Sequence, residues 1–540
     1  MASLRGLTLL GEACPKEFEV RISNLEMKSI QQSTIHNPQS AIRNIVATGL
    51  MVAIAFTALA LGTVEAWSVA IFELIVLVLL FLWGAKAIVD KHLEITFPAA
   101  ALPLSGLVLL ALIQGIAINS GGQPTKALSM DIEATRAALV VIFFLFVCFM
   151  IASRFFTTVQ QLRSLAHFLI IFGLVLAVFA LIQHFTWEGR LFWFRPMERA
   201  GAGTGGPFVN RNHFAGYMEM LIPIPIALAL SRAVRGEARA FYAFAAAIMG
   251  IAEVASLSRG GVVSLSAALL FIAAVSTQMK QRAAKARVSR MEDRAATIED
   301  GGSRVEDRGS KIEDGGPRME GRQSRARDLT GQYSILHPPS SNFAPRSSAL
   351  LPAVFVLLIT VAIVAGMFWV GADSGLAERL ASDQGEPSAS SRQVIWRDTL
   401  KMVRANPVLG VGIGAYQTVL PAYGHREGET IVEFAHNDYL QTLADGGIVA
   451  GALAVWFIVV VFRAFARGTK SREPLTSALA LGAGAGFFAI LVHSLFDFNL
   501  QLPSNALLFL VLAAIVVTTG EKGLRIADFG LRNRTELDDR

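Results

Sequence analysis

The stretch GADSGLAERLASDQGEPSASSRQVIWRDTLKMVRANPVLGVGIGAYQTVLPAYGHREGETIVEFAHNDYLQTLAD occupies residues 371–445 and lies between two hydrophobic runs. It carries candidate helix caps, turn glycines, aromatics and charges, and it ends in HNDYL, where a histidine and an aspartate stand two residues apart. Outside it the chain is mostly apolar. Of 540 residues, 53% are hydrophobic and only 17% charged, and the mean hydropathy is +0.50. A soluble chain of this length would split into domains and carry more charge. Here the apolar residues gather in runs of about 17–25, the length that crosses a bilayer as helix. The fold class expected is an all-α integral membrane protein surrounded by membrane lipid. The net charge of +6 then bears on orientation and not on nucleic acid. Cys14 and Cys148 form neither a metal spacing nor a disulfide framework. The opening MASLRGLTLLGEACPKEFEVRI has too short an apolar run for a signal peptide, so targeting is expected through the first span.

Spans are expected at about 45–63, 67–84, 99–118, 137–153, 165–185, 214–231, 240–257, 261–278, 349–371, 446–463, 475–495 and 503–519. The chain thus divides into an N-terminal segment 1–43, spans one to eight in 44–278, a linker 279–346, span nine in 347–371, the large loop 372–445, spans ten to twelve in 446–519, and a tail 520–540. The linker contains a repeat, SRMEDRAATIEDGG (289–302) followed by SRVEDRGSKIEDGG (303–316). Dense mixed charge and few aromatics predict disorder there, in a loop tolerant of expansion. In the aromatic loop 184–213 the glycines argue against any regular element.

With both termini in the cytoplasm, each short cytoplasmic connection is basic: Lys86/Lys91, Arg154/Arg163, Arg232/Arg235/Arg239, Lys280–Arg287 and Arg463–Arg472. That is the positive-inside pattern. The opposite face receives 119–136, 186–213, the Arg259 turn, the large loop and 496–502. Every unusual polar cluster falls on that one face.

Arginines that stay on it break the charge bias. Arg211 in FVNRNHFAGY and Arg259 in SLSRGG sit at span boundaries. A guanidinium binds phosphate bidentately and keeps its charge when partly buried. Snorkelling arginines, or capping by Asn210 and Asn212, would account for them without a ligand. Within the loop, 390–407 reads as an amphipathic helix with Trp396, Leu400 and Val403 on one stripe and Ile395 paired with Met402. Arg392 falls in its first turn, where backbone N–H groups favour anions. GVGIGAY (410–416) supplies a turn and Tyr416. His436 can take a proton from a sugar hydroxyl near neutral pH, with Asp438 orienting it or an acceptor, and Asn437 or Asp438 can cap the next helix. His493 and Asp497 in HSLFDFNLQLP are further candidates for contact with sugar hydroxyls. No pattern of metal spacing appears on this face, so neither metal nor cofactor is expected.

FVNRNHFAGY, SLSRGG, SRQVIW with NPVLGVGIGAY, HNDYLQTLADGG and HSLFDFNLQLP occur in this order across about residues 200–505. The ordered set resembles the bacterial O-antigen ligase and O-antigen polymerase family, with the repeat linker as a departure. The resemblance implies a fold like the C-type membrane glycosyltransferases, with about twelve transmembrane helices. It implies a large periplasmic loop in the bacterial inner membrane. It implies transfer or polymerisation of a glycan from an undecaprenyl-diphosphate-linked donor to a hydroxyl on a glycan, lipid A core or protein. Carried over by motif, Arg259 and Arg392 would bind the diphosphate, His436 would act as general base or acceptor-orienting group, and Arg211 is an addition to the diphosphate site. With Arg211, the residues Asn212, Asp438, Tyr416, His493 and Asp497 are the candidates for substrate contact. The rival reading is a polytopic transporter or flippase of lipid-linked glycans. It requires ionisable groups near the bilayer midplane and repeat-related broken helices.

Overall fold

The computed structural model describes residues 38–89, 97–118, 126–196, 205–309, 389–424 and 432–528. The first half runs α1 (Pro38–Leu59), α2 (Ala66–Val89), α3 (Ala101–Gln114), α4 (Ile132–Phe155), α5 (Val159–Phe185), α6 (Arg211–Leu221), α7 (Pro223–Leu230), α8 (Glu237–Ala255) and α9 (Arg259–Gly309). The second half runs α10 (Ala389–Ala405), α11 (Tyr416–Val419), α12 (Asp438–Gly468), α13 (Pro474–His493) and α14 (Pro503–Asp528). Among the described residues, ten helical segments are long and apolar enough to cross a membrane. The protein is therefore an all-α polytopic membrane protein. The expected ninth span, 349–371, lies outside the described residues.

Helix α14 is buried along its whole apolar length and α13 nearly so, which makes this pair the centre of the bundle. Helix α14 packs on α4, α12 and α13, and α13 also packs on α7 and α9. Small residues in α13 allow this. A side chain at Gly486 would collide with the Met220 carbonyl of α6. Lipid gives no hydrophobic drive between helices, so close van der Waals approach of this kind holds a membrane bundle together.

Several boundaries differ from those read in the sequence. The third span is a shorter helix, Ala101–Gln114, closed by Gly115. Ala117–Ile118 then pairs with Lys126–Ala127. The aromatic loop does hold a regular element, a small hairpin pairing Arg190–Leu191 with Arg195–Pro196. Positive φ at Gly189, Phe192 and Trp193 lets the chain reverse there. Span six is broken at Ile222, with Pro223 opening the second piece. The linker is not disordered at its start: α9 continues to Gly309, taking in the first repeat. Its Lys, Arg, Ala, Met and Gln are strong helix formers, so charge there solvates a helix. The expected disorder across 310–346 falls outside the described residues. Span ten begins earlier than expected, at Asp438, and is kinked at Gly447, where φ is +61°. A Cβ there would collide with the Val408 carbonyl, so the kink is where the 407–410 turn docks.

Candidate active site

The large loop builds a small layer over the bundle. Its own core is Met402, Val411, Ala415, Tyr416, Val419, Leu420, Ala435 and Ala444. Helix α10 faces this core with Ile395, Asp398, Thr399 and Met402, all buried. The buried face is thus rotated from the expected stripe, and Leu400 is exposed. Polar Asp398 and Thr399 hid that face from a hydrophobicity reading. Gln114, at the end of α3, ties the layer down. Its Nε2 donates to the Leu409 and Asp445 carbonyls at 2.6 and 3.1 Å, and its Oε1 accepts from Ile413 N at 3.1 Å.

Between layer and bundle runs the turn 493–502, which Asn212, Arg392, His436 and Asp438 all meet. Asp497 is 1% exposed. Its Oδ2 accepts from Asn212 Nδ2 at 2.8 Å, and its Oδ1 accepts from Phe498 N at 2.9 Å. His436 Nδ1 lies 3.4 Å from Asp497 Oδ1, close enough for charge attraction. Burial pushes the Asp497 carboxyl up, but the adjoining His436 ring and the electrostatic influence of the surrounding histidines outweigh it. The net direction is well below the ordinary carboxylate range, so Asp497 is an anion at neutral pH.

His436 itself has φ of +50°, a left-handed conformation that costs a branched-free but bulky residue about 1–3 kcal/mol. Neighbours hold it. The Ala435 carbonyl accepts from Trp396 Nε1 at 2.9 Å, and Ala435 N donates to Gln441 Oε1 at 2.8 Å. The His436 ring stands edge-on to Phe498 with centroids 4.8 Å apart, and His213 does the same from another side. Phe434 stacks on the same Phe498 ring.

The expected site residues sort into two groups. Arg392 reaches the turn, donating from Nη1 to the Phe496 carbonyl at 3.3 Å. Arg211 opens α6 beside Asn212, and Arg259 opens α9 with its side chain exposed. Arg392 and His436 meet the 493–502 turn directly, whereas Arg211 and Arg259 each adjoin a residue that does: Asn212, bonded to Asp497, and Gly260, packed against His493. The others have structural partners. Asn212 is committed to Asp497. Asp438 accepts from Ser494 Oγ, Leu500 N and Gln501 Nε2 at 2.8, 3.2 and 3.4 Å, so it pins the turn. Tyr416 is 1% exposed and its hydroxyl shares a 2.7 Å hydrogen bond with Thr399 Oγ1. His493 is buried against Glu219, with Nδ1 to Oε2 at 3.0 Å. The sequence offers these four as substrate contacts; in the structure each is buried and bonded within the protein. Asn437, not Asp438, caps α12, accepting from Tyr439 N and Leu440 N. Glu219, Glu253, His213 and Phe498 were missed. The two glutamates stood in plain view as acids inside apolar spans, which mark function by default.

Among the described residues, no group of three His, Cys, Asp or Glu is arranged to hold a metal ion.

A polytopic helical bundle in which an arginine and a histidine meet a turn carrying a buried aspartate is the class that fold and site define. Residues 340–455 match the family model described as O-antigen ligase. Over this stretch the chain is similar to the O-antigen ligase family, which is an enzyme family. Of the candidates, Arg392, Tyr416, His436 and Asp438 fall inside the matched stretch, whereas Arg211, Arg259 and the 493–502 turn lie outside it. No curated protein matches the chain.

Proposed function

We propose that the chain is a glycosyltransferase of the inner membrane that moves a glycan from an undecaprenyl-diphosphate donor to a hydroxyl acceptor at the periplasmic face. The observation that carries this reading is the contact of His436 and Arg392 with the turn that holds Asp497, with Arg211 and Arg259 next in sequence to residues that pack on that turn. The acceptor oxygen attacks the anomeric carbon and forms the new C–O bond. The bond from that carbon to the diphosphate breaks, and undecaprenyl diphosphate leaves with the electron pair. The hydroxyl proton passes to His436, whose Nδ1 faces Asp497 and leaves Nε2 for the acceptor. Asp497, held as the anion, stabilises the imidazolium that forms. Arg259 and Arg392, with Arg211, meet the charge growing on the diphosphate, a task that fixed cations perform without a metal. The basic ends Arg154, Arg163, Arg232, Arg235 and Arg239 support a cytoplasmic opposite face.

The test is product analysis with a labelled undecaprenyl-diphosphate oligosaccharide and the purified full chain. A ladder of longer lipid-linked glycans identifies a polymerase. A single transfer that needs added lipid A core or protein identifies a ligase. In either case His436→Ala lowers kcat by roughly 10²–10⁴-fold, the usual contribution of a general base, while donor binding falls in Arg259→Ala. No turnover with any acceptor, together with glycan crossing a proteoliposome membrane, would leave a transporter.

A further inference from the structure

We propose that Glu219 and His493 form a buried strut that positions Arg259 relative to His436. The inference rests on the reading above, in which Arg259 holds the diphosphate and His436 takes the proton. Glu219 lies in α6 and His493 ends α13; their side chains are 0% and 1% exposed and 3.0 Å apart. On one side, the His493 ring is pressed against the start of α9. A Cβ on Gly260, the residue after Arg259, would stand 2.6 Å from His493 Nε2. On the other side, the His493 carbonyl accepts the amides of Phe496 and Asp497 at 2.8 and 3.1 Å. One residue therefore meets both turns: the His493 ring lies against the turn that presents Arg259, and its backbone carbonyl holds the turn that presents Asp497 to His436.

The Arg259 turn needs such support. Leu257 is in a left-handed conformation, with φ of +57°. Ser258 caps the new helix by accepting from Gly261 N at 3.2 Å. Gly261 lies against Ala215 of α6 and Glu253 of α8, a Cβ there standing 2.7 and 3.3 Å from them. The turn thus rests on α6, α8 and α13, and His493 links it to the 493–502 turn. A buried ion pair is weak evidence for stability, whereas ionisable groups inside spans mark function. Glu219 touches no substrate in this scheme. It is a positioning residue that acts through His493.

Two measurements on the full chain in detergent test the strut. The first is amide hydrogen exchange over 256–262. The second is equilibrium binding of undecaprenyl diphosphate in a double-mutant cycle of Glu219→Ala with Arg259→Ala. Expected are faster exchange in Glu219→Ala and a loss of binding of about tenfold, an ordinary coupling for residues sharing a network. The double variant binds no more weakly than Arg259→Ala alone, and Glu219→Gln recovers most of the loss. Gly260→Ala, which pushes on His493 from the other side, reproduces both effects and serves if Glu219→Ala does not fold. Unchanged exchange, or losses that simply add, overturns the inference. If the wild type does not bind undecaprenyl diphosphate, the donor assignment fails, and the strut's role in donor binding fails with it. The exchange arm still shows separately whether the strut holds the turn.

Discussion

Residues 493–502 and residues 280–293 are both polar segments that follow apolar helices, yet they behave oppositely. The second carries Lys280, Arg282, Lys285, Arg287, Arg290, Glu292 and Asp293, and its side chains are exposed. The first carries one carboxylate, Asp497, together with His493, Ser494 and Asn499, all buried. Counted as charge, the helical extension outweighs the turn. Counted as commitment, the order reverses: Asp497 alone engages Asn212, Phe498 and His436. A solvated charge costs little and constrains little, whereas a buried one must be matched group by group. The contrast predicts that sensitivity to mutation follows burial with partners and not charge density.

The sharpest way to break it is Asp497→Ala. Removing one partner of a buried charged set costs roughly 3–5 kcal/mol, because the others are left unmatched. Asn212 Nδ2 loses its acceptor and His436 loses its counter-charge. The pH dependence has a definite sign. The folded carboxyl is depressed, so its stabilisation is complete above the ordinary carboxylate value near 4 and is lost as pH falls below it. Thermal unfolding in detergent should show a wild-type advantage that is flat from about pH 6 to 8 and shrinks below about pH 4. An advantage that grows toward low pH would mean that Asp497 is not held as the anion.

How much of this was legible in the sequence follows the same division. Span positions came from hydropathy, because bilayer thickness sets helix length. The motif residues His436, Arg392, Arg259 and Asp497 stood out because polar groups at span ends are few. Their roles were less legible. Tyr416 and Asp438 look like ligands in a linear reading, and only tertiary contact shows a hydroxyl bonded to Thr399 and a carboxylate pinning the 494–501 turn. Partners 285 residues apart, as Asn212 and Asp497 are, leave no local signal. The face of α10 was misread for a related reason: Thr399 is buried by bonding to Tyr416, and periodicity ranks it as polar.

Gln114 sharpens the comparison at intermediate size. It is one neutral residue, yet it holds three backbone groups of the layer. Gln114→Leu leaves two carbonyls and an amide without that partner, at about 1–3 kcal/mol for a buried group left unsatisfied. The layer should loosen first, read as faster amide exchange over 409–413 with the bundle helices unchanged. Uniform loosening of the whole chain would mean that layer and bundle do not separate.

The smallest effect belongs to the extension. Its charges are exposed along every side of α9, and α9, at 51 residues, is about 75 Å long, far beyond a bilayer core of about 30 Å. Replacing Arg287, Arg290 and Glu292 together by Gln keeps helix formers in place and removes three charges. Unfolding in detergent should then shift by no more than about 0.5 kcal/mol, as for exposed sites without special partners. Glycan transfer should remain within about twofold of wild type, the rate equivalent of that same margin. A larger loss of transfer at unchanged stability would give this helix a partner in the reaction. Charge density would then count for function here even without burial.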